Sequence, residues 1–127
     1  MNLVDSCGWL EFFADGPSAE SFVAPLSDPA TLIVPAITVY EVFKIVLRQK
    51  DEDAALQAVA MMQQGMVVEL DASLAMEAAK TSLDLKLPMA DSNILVTARR
   101  YEACIWTQDE HFRDLPEVRY FPKLFIE

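Results

Sequence analysis

The chain has 127 residues, of which 53% are hydrophobic, and its formal net charge is −10 at pH 7. This length allows a single domain, spanning residues 1–127, with a sizeable core, and the hydrophobic content excludes an intrinsically disordered chain. The acidic charge argues against a protein that binds nucleic acid through a broad basic surface.

Short apolar runs alternate with helical patterns along the chain. The apolar runs predict five strands, at residues 2–5, 31–34, 66–70, 103–106 and 118–121. Turn signals and helical periodicity predict helices or helical turns at residues 9–13, 18–26, 37–49, 51–64, 71 or 73 to about 85, 89–101 and 109–112. This alternation indicates an α/β fold, with a central, mostly parallel sheet of about five strands inside a three-layer α/β/α sandwich.

Four acidic residues lie where predicted strands or loops turn into helices: Asp5, Glu41, Asp91 and Asp109. Because the carboxyl ends of parallel strands lie side by side, these residues are expected to converge on one pocket. Two carboxylates about 4 Å apart repel by on the order of 4 kcal/mol at an effective dielectric of about 20, so a cation is expected among them. Oxygen ligands of this kind suit Mg²⁺ or Mn²⁺.

Each acid also has a structural interpretation. Asp5 can cap the helix that follows it, and Asp91 lies in a first helical turn, where the helix dipole favours an anion. The segments 38–41 and 107–110 have the spacing of capping boxes. Capping and metal binding are compatible, because a helix N-terminus fixes the carboxylate and leaves lone pairs free for a metal.

The acids lie in four segments: VDS at residues 4–6, TVYEV at 38–42, LPMAD at 87–91 and WTQDEHF at 106–112. Together these segments resemble the PIN domain family, and most closely the VapC toxins of bacterial toxin–antitoxin pairs. The resemblance implies an α/β/α fold and a metal-dependent endoribonuclease. The catalytic and metal-binding residues that it implies are Asp5, Glu41, Asp91 and Asp109. It also implies that Ser6 and Thr107 are supporting polar neighbours. The chain departs from the usual pattern at Cys7, where a second hydroxyl is common, and at Ser92 and Asn93.

The resemblance also implies partners, namely an RNA substrate, a small antitoxin protein and a second copy of the chain in a homodimer. The hydrophobic excess and the methionine-rich segment 51–64 are consistent with protein-binding surfaces. We expect the antitoxin to lay an amphipathic helix in an apolar groove. A basic residue, preferably arginine, would reach the four carboxylates.

Two other functions remain open at this stage. A receiver-like signalling domain would use Asp71 as its phosphoacceptor and Thr107 as its switch hydroxyl, but it leaves Glu41 and Asp91 unexplained. A catalytically silent PIN domain would bind RNA or a protein partner without needing intact acids.

The remaining signals concern compartment and single residues. No apolar run reaches the ~20 residues of a membrane span, and the N-terminus has no leader pattern, so we expect a cytoplasmic protein without a membrane anchor. Cys7 and Cys104 are expected to be small, buried and unpaired. The single histidine, His111, is expected to have a structural role, packed beside Phe112.

Overall fold

The computed structural model describes residues 1–124, so the last three residues of the predicted domain lie outside the described range. Five strands form the central sheet: β1 Asn2–Val4, β2 Leu32–Pro35, β3 Met66–Val68, β4 Cys104–Thr107 and β5 Val118–Tyr120. Their order is β3-β2-β1-β4-β5, and all neighbouring strands are parallel. This confirms the predicted parallel sheet, and β1 lies at its centre.

Six α-helices occur within residues 1–124: α1 Ser6–Phe13, α2 Val23–Leu26, α3 Ala36–Gln49, α4 Glu52–Met62, α5 Ala72–Leu85 and α6 Met89–Arg100. Three short 3₁₀ helices accompany them, at Ala19–Phe22, Pro29–Thr31 and Glu110–Phe112. None of the helices in this range is long and apolar enough to cross a membrane. With the parallel sheet, the helices give the predicted α/β/α architecture.

Two boundaries differ from the sequence-based expectation for physical reasons. The segment predicted as one helix at 18–26 is a 3₁₀ helix followed by a single α-helical turn, because Pro25 has no N–H to donate to the carbonyl four residues earlier. The capping box predicted at 38–41 is wrong. Pro35 is the N-cap and α3 begins at Ala36, so Thr38 and Glu41 both lie inside the helix.

The core consists of apolar clusters on the two faces of the sheet. On one face, Leu3, Ile33 and Ile105 pack with residues of α6. On the other face, Val4 and Val34 pack with residues of α1, α3 and α4. Successive strand residues thus contribute to opposite clusters, as the period-two geometry of a strand requires.

Candidate metal centre

The carboxylate of Asp5 is fixed by hydrogen bonds where β1 turns into α1. Asp5 is the N-cap of α1, and its Oδ1 accepts from the backbone N–H of Gly8 at 3.1 Å. The Cys7 thiol donates to the same oxygen at 2.9 Å, and the Thr107 hydroxyl donates to Oδ2. The capping role considered for Asp5 is therefore confirmed. Cys7 is free, as predicted, but it contacts a polar site rather than serving only as an apolar filler.

Gly8 allows α1 to lie close to the sheet beside Asp5. A Cβ atom at Gly8 would lie 2.6 Å from Cγ1 of Val4 and 2.8 Å from the ring of Phe22. Real Cβ atoms essentially never make contacts this short, so a larger residue would push α1 away from β1. The capped start of α1 at Asp5 therefore lies where this helix packs tightly against the sheet.

A second aspartate lies just beyond β4. The Thr107 hydroxyl, which is fully buried, accepts a hydrogen bond from the backbone N–H of Asp109 at 2.8 Å. Asp109 caps the 3₁₀ helix at Glu110–Phe112, and its Oδ1 accepts from the backbone N–H of His111 at 2.9 Å. The capping box predicted at 107–110 is wrong, because the cap is Asp109 and the helix begins one residue later.

Asp91 and Asp109 meet at the side chain of His111. Asp91 lies in the first turn of α6, as predicted, and is buried. The His111 Nδ1 atom lies 2.8 Å from Asp91 Oδ2 and 3.0 Å from Asp109 Oδ1. Its side chain is 57% exposed, whereas Phe112 is fully buried. His111 therefore contacts the acids and does not have the packing role expected for it.

Glu41 approaches the same region from α3. Burial raises the pKa of its half-buried carboxyl group, the charge of Asp109 raises this pKa further, and a hydrogen bond with Ser6 opposes the shift. Its Oε1 atom is buried and has no hydrogen-bond partner among the described residues. Such an atom loses its hydration without compensation, unless a ligand or water that it can bind occupies the site.

Burial is the main cause of the raised pKa values of Asp5, Glu41 and Asp91. Burial raises the pKa of Asp5 to about 6, and the charge of Asp109 adds to the shift against the opposing hydrogen bonds. Burial and the charge of Asp109 raise the pKa of Asp91 to about 7, while His111 opposes this rise. The charge of Asp109 is thus a minor cause of the shifts at Asp5 and Glu41 and a larger one at Asp91. Of the four predicted acids, Asp91 and Asp109 come close enough to share an ion with His111, whereas Asp5 and Glu41 lie outside that group.

The donor set fits a divalent metal ion. One ligand atom each from Asp91, Asp109 and His111 lies within 4.8 Å of the other two. The unpartnered oxygen of Glu41 adds a further hard donor, and carboxylate oxygens are the ligands that Mg²⁺ and Mn²⁺ prefer. Burial raises the pKa values of Asp91 and Glu41 and so favours their protonated forms. A bound cation would favour their charged forms instead.

The family follows from a direct comparison. The family model of the PIN domain matches residues 3–118 of the chain. The chain belongs to the PIN domain family. The identification made from the four sequence segments is therefore confirmed. Among the curated proteins, none matches this chain.

Solved structures share the fold of this PIN domain. A toxin–antitoxin complex from Klebsiella pneumoniae is 19% identical, with a TM-score of 0.78 over 94% of this chain and 96% of that chain. VapC20 of Mycobacterium tuberculosis, a Sarcin-Ricin loop cleaving toxin, is 16% identical, with a TM-score of 0.75 over 94% and 99% of the two chains. VapBC2 of Rickettsia felis, bound to a DNA fragment from its promoter, is 12% identical, with a TM-score of 0.71 over 94% and 96%. At these identities, the likeness concerns the fold.

The strand order of the PIN domain counts against the receiver-like alternative. Asp71, which that alternative takes as the phosphoacceptor, follows β3 at the edge of the sheet, and β2 separates β3 from β1. Asp71 is exposed and caps α5 by accepting from the N–H of Leu74 at 2.8 Å. It is therefore a helix cap, and it lies two strands away from the strand that carries Asp5.

A groove of about 810 Å³ in the PIN domain is bordered by Asp109, one of the four acids. Cys7 and Asp109 line it together with apolar and basic side chains of several elements. The apolar lining includes Leu10, Phe13, Ile45, Val46 and Met61, and the basic lining is Arg48, Lys50 and Lys123. The groove thus connects an apolar surface with the candidate metal centre.

Proposed function

We propose that this PIN domain is a metal-dependent endoribonuclease whose catalytic metal centre consists of Asp5, Glu41, Asp91 and Asp109. One observation carries the proposal: Asp91 and Asp109, from separate segments of the chain, present ligand atoms within 4.8 Å of each other and of His111. The charge of Asp109 also contributes to the raised pKa values of Asp5, Glu41 and Asp91. Acids whose pKa values are raised by burial and by a neighbouring charge are typical of functional sites.

Each residue has a role that follows from its contacts. Asp91 and Asp109 would hold a Mg²⁺ or Mn²⁺ ion with Asp5, and Glu41 would orient a water molecule or hold a second ion through its unpartnered oxygen. When bound, such an ion lowers the pKa of a coordinated water and stabilises negative charge on the phosphate. Thr107 fixes the positions of Asp5 and Asp109.

We further propose that the protein is the toxin of a toxin–antitoxin pair that acts on RNA in the cytoplasm. The shared fold of toxin–antitoxin structures supports this proposal, because those structures include complexes with a partner. The groove of about 810 Å³ has the apolar lining that an amphipathic antitoxin helix requires. Because Asp109 lines the groove, a basic residue of that helix would lie within reach of the carboxylates.

We also propose that the protein forms a homodimer, and exposed apolar side chains on α5 and α6 support this proposal. Met76 and Leu83 of α5 are 69% and 82% exposed, and Met89 of α6 is 72% exposed. Large apolar side chains exposed in this way favour a protein partner. In the methionine-rich segment 51–64, Met62 is fully buried in the core, so this side chain does not contribute to a protein-binding surface.

Chelator-sensitive cleavage of RNA tests the proposed function. The purified protein should cleave single-stranded RNA when Mg²⁺ or Mn²⁺ is present, stop when EDTA is added, and resume when the metal is restored in excess. A catalytically silent PIN domain would bind RNA or a partner under the same conditions without cleaving. RNA cleavage that continues at full rate in EDTA would contradict a metal-dependent nuclease.

A further inference from the structure

We propose that His111 supplies a nitrogen ligand to the metal centre, which gives this site a preference for Mn²⁺ or a similar transition metal over Mg²⁺. The inference rests on the proposed function only in that it requires a metal at Asp91 and Asp109. It adds a fifth protein group to the four acids, and it concerns the kind of metal rather than the reaction.

The first argument is geometric. Adjacent ligands of an octahedral ion, each about 2.1 Å from the metal, lie about 3 Å from one another. The Nδ1 atom of His111 lies 2.8 Å from Asp91 Oδ2 and 3.0 Å from Asp109 Oδ1. The nitrogen therefore already has the spacing of a neighbouring ligand to both carboxylates.

The second argument is that the backbone holds His111 in this place. Asp109 caps the short 3₁₀ helix that contains His111, and the Asp109 carboxylate accepts from the His111 N–H. Thr107 fixes one end of this turn and the fully buried Phe112 fixes the other. Since the side chain of His111 is 57% exposed, packing does not account for its position.

The third argument is chemical. Imidazole nitrogen is a good ligand for transition metals, whereas Mg²⁺ prefers oxygen. To bind through Nδ1, the imidazole of His111 must carry its hydrogen on Nε2, so that the Nδ1 lone pair is free for the metal. A site with two carboxylates and one imidazole therefore gains more affinity for Mn²⁺ than for Mg²⁺.

A rival role for His111 makes the opposite prediction. A protonated imidazole between two carboxylates is also a counter-cation, which an incoming metal ion would have to displace. In that case, the metal would bind more tightly after His111 is removed. If His111 is a ligand, its removal weakens binding, and more strongly for Mn²⁺.

The single histidine of the chain allows a direct spectroscopic test on the complete, untagged protein. Pulsed electron paramagnetic resonance of bound Mn²⁺ should show a nitrogen coupling. This coupling should change from the ¹⁴N to the ¹⁵N pattern when only histidine is labelled with ¹⁵N, and it should disappear in His111→Gln. A Mn²⁺ signal unaffected by the label would overturn the proposal.

Calorimetric titration with Mn²⁺ and with Mg²⁺ gives an independent readout. His111→Gln should weaken Mn²⁺ binding by about tenfold or more, as loss of a group at a metal site does, with a clearly smaller loss for Mg²⁺. Glu110→Gln is the matched control, because it changes the exposed neighbour on the same turn, and it should bind Mn²⁺ like the parent. Unchanged or tighter Mn²⁺ binding by His111→Gln, or an equal loss in Glu110→Gln, would overturn the assignment.

These readouts separate this inference from the proposed nuclease function. Nitrogen coupling without RNA cleavage would keep His111 as a ligand and contradict the nuclease. Metal-dependent RNA cleavage without nitrogen coupling would keep the nuclease and overturn the role of His111.

Discussion

Thr107 donates its hydroxyl hydrogen to the carboxylate of Asp5, although the two residues are 102 positions apart in the chain. The contact follows from the sheet, since β1 and β4 are parallel neighbours in which Val4 pairs with Trp106. The same hydroxyl accepts from the N–H of Asp109. One buried side chain therefore sets the positions of two proposed metal ligands.

Replacing Thr107 by valine keeps its shape and removes its hydroxyl. The N–H of Asp109 and the Asp5 carboxylate would then lose a buried partner, which should lower the free energy of unfolding by about 1–3 kcal/mol. Urea denaturation in EDTA measures the change. Thr107→Ser, which retains the hydroxyl, is the control. A valine variant as stable as the parent would show that these hydrogen bonds contribute little.

The metal-free protein should lose stability as the pH rises from about 4 to about 7. In the folded state the pKa of Asp5 is raised from 3.8 to about 6, and that of Asp91 to about 7. The folded protein therefore retains these protons at pH values where the unfolded chain has released them. The contribution of these two groups to the free energy of unfolding is fully present below pH 4, and it is lost as the pH rises through their pKa values in the folded state. For Asp5 alone, this loss is on the order of 3 kcal/mol.

Denaturation curves measured in EDTA across this pH range test the prediction. Asp5→Asn should lose less stability with rising pH than the parent, because its amide does not titrate. Stability that is constant or increases between pH 4 and pH 7 would disagree with the raised pKa values.

Asp5→Asn should stabilise the metal-free protein and reduce its response to metal. The asparagine oxygen can still accept from the N–H of Gly8, and its amide nitrogen would donate to the Thr107 hydroxyl instead of accepting from it. The cap is thus retained while the buried charge is removed. In the parent, Mn²⁺ at ~100 times its dissociation constant should add about 2.7 kcal/mol to the free energy of unfolding. Thermal melting with and without Mn²⁺ measures both effects. A lower metal-free melting temperature with an unchanged Mn²⁺ response would indicate that Asp5 is only a helix cap.

Inhibition by the proposed antitoxin should depend on one basic side chain. We expect an arginine of the bound peptide to pair with the carboxylates and compete with the metal, while the apolar contacts of its helix fill the groove. Replacing that arginine by alanine should weaken inhibition more than binding. Titration of RNA cleavage with both peptides, over a range of Mg²⁺ concentrations, measures the difference. Equal inhibition at every Mg²⁺ concentration would exclude this mechanism.

The parallel sheet could be predicted from the sequence, and so could the proximity of Asp91 and Asp109, because both depend on where strands and helices begin and end. Apolar runs indicate strands, and parallel strands bring their carboxyl ends together, so Asp5 and Asp109 were expected near each other. The split of the segment 18–26 does not follow from its helical periodicity, because Pro25 interrupts the hydrogen-bond ladder without changing the apolar pattern.

The roles of Cys7 and His111 could not be predicted in the same way. The thiol of Cys7 lies 3.7 Å from the hydroxyl of Thr107, a contact that depends on the pairing of β1 with β4. The ring of His111 reaches Asp91 only because the 3₁₀ helix after β4 lies beside the first turn of α6. Neither arrangement follows from spacing along the chain.

RNA cleavage by Asp91→Asn tests the central claim most directly. The change removes a proposed metal ligand and a buried, repelled carboxylate, so the protein should fold normally and cleave RNA about a hundredfold more slowly or worse. Asp71→Asn, at the exposed cap of α5, is the control and should cleave like the parent. If a well-folded Asp91→Asn protein cleaves RNA at the parental rate in Mg²⁺, the four acids are not the catalytic centre.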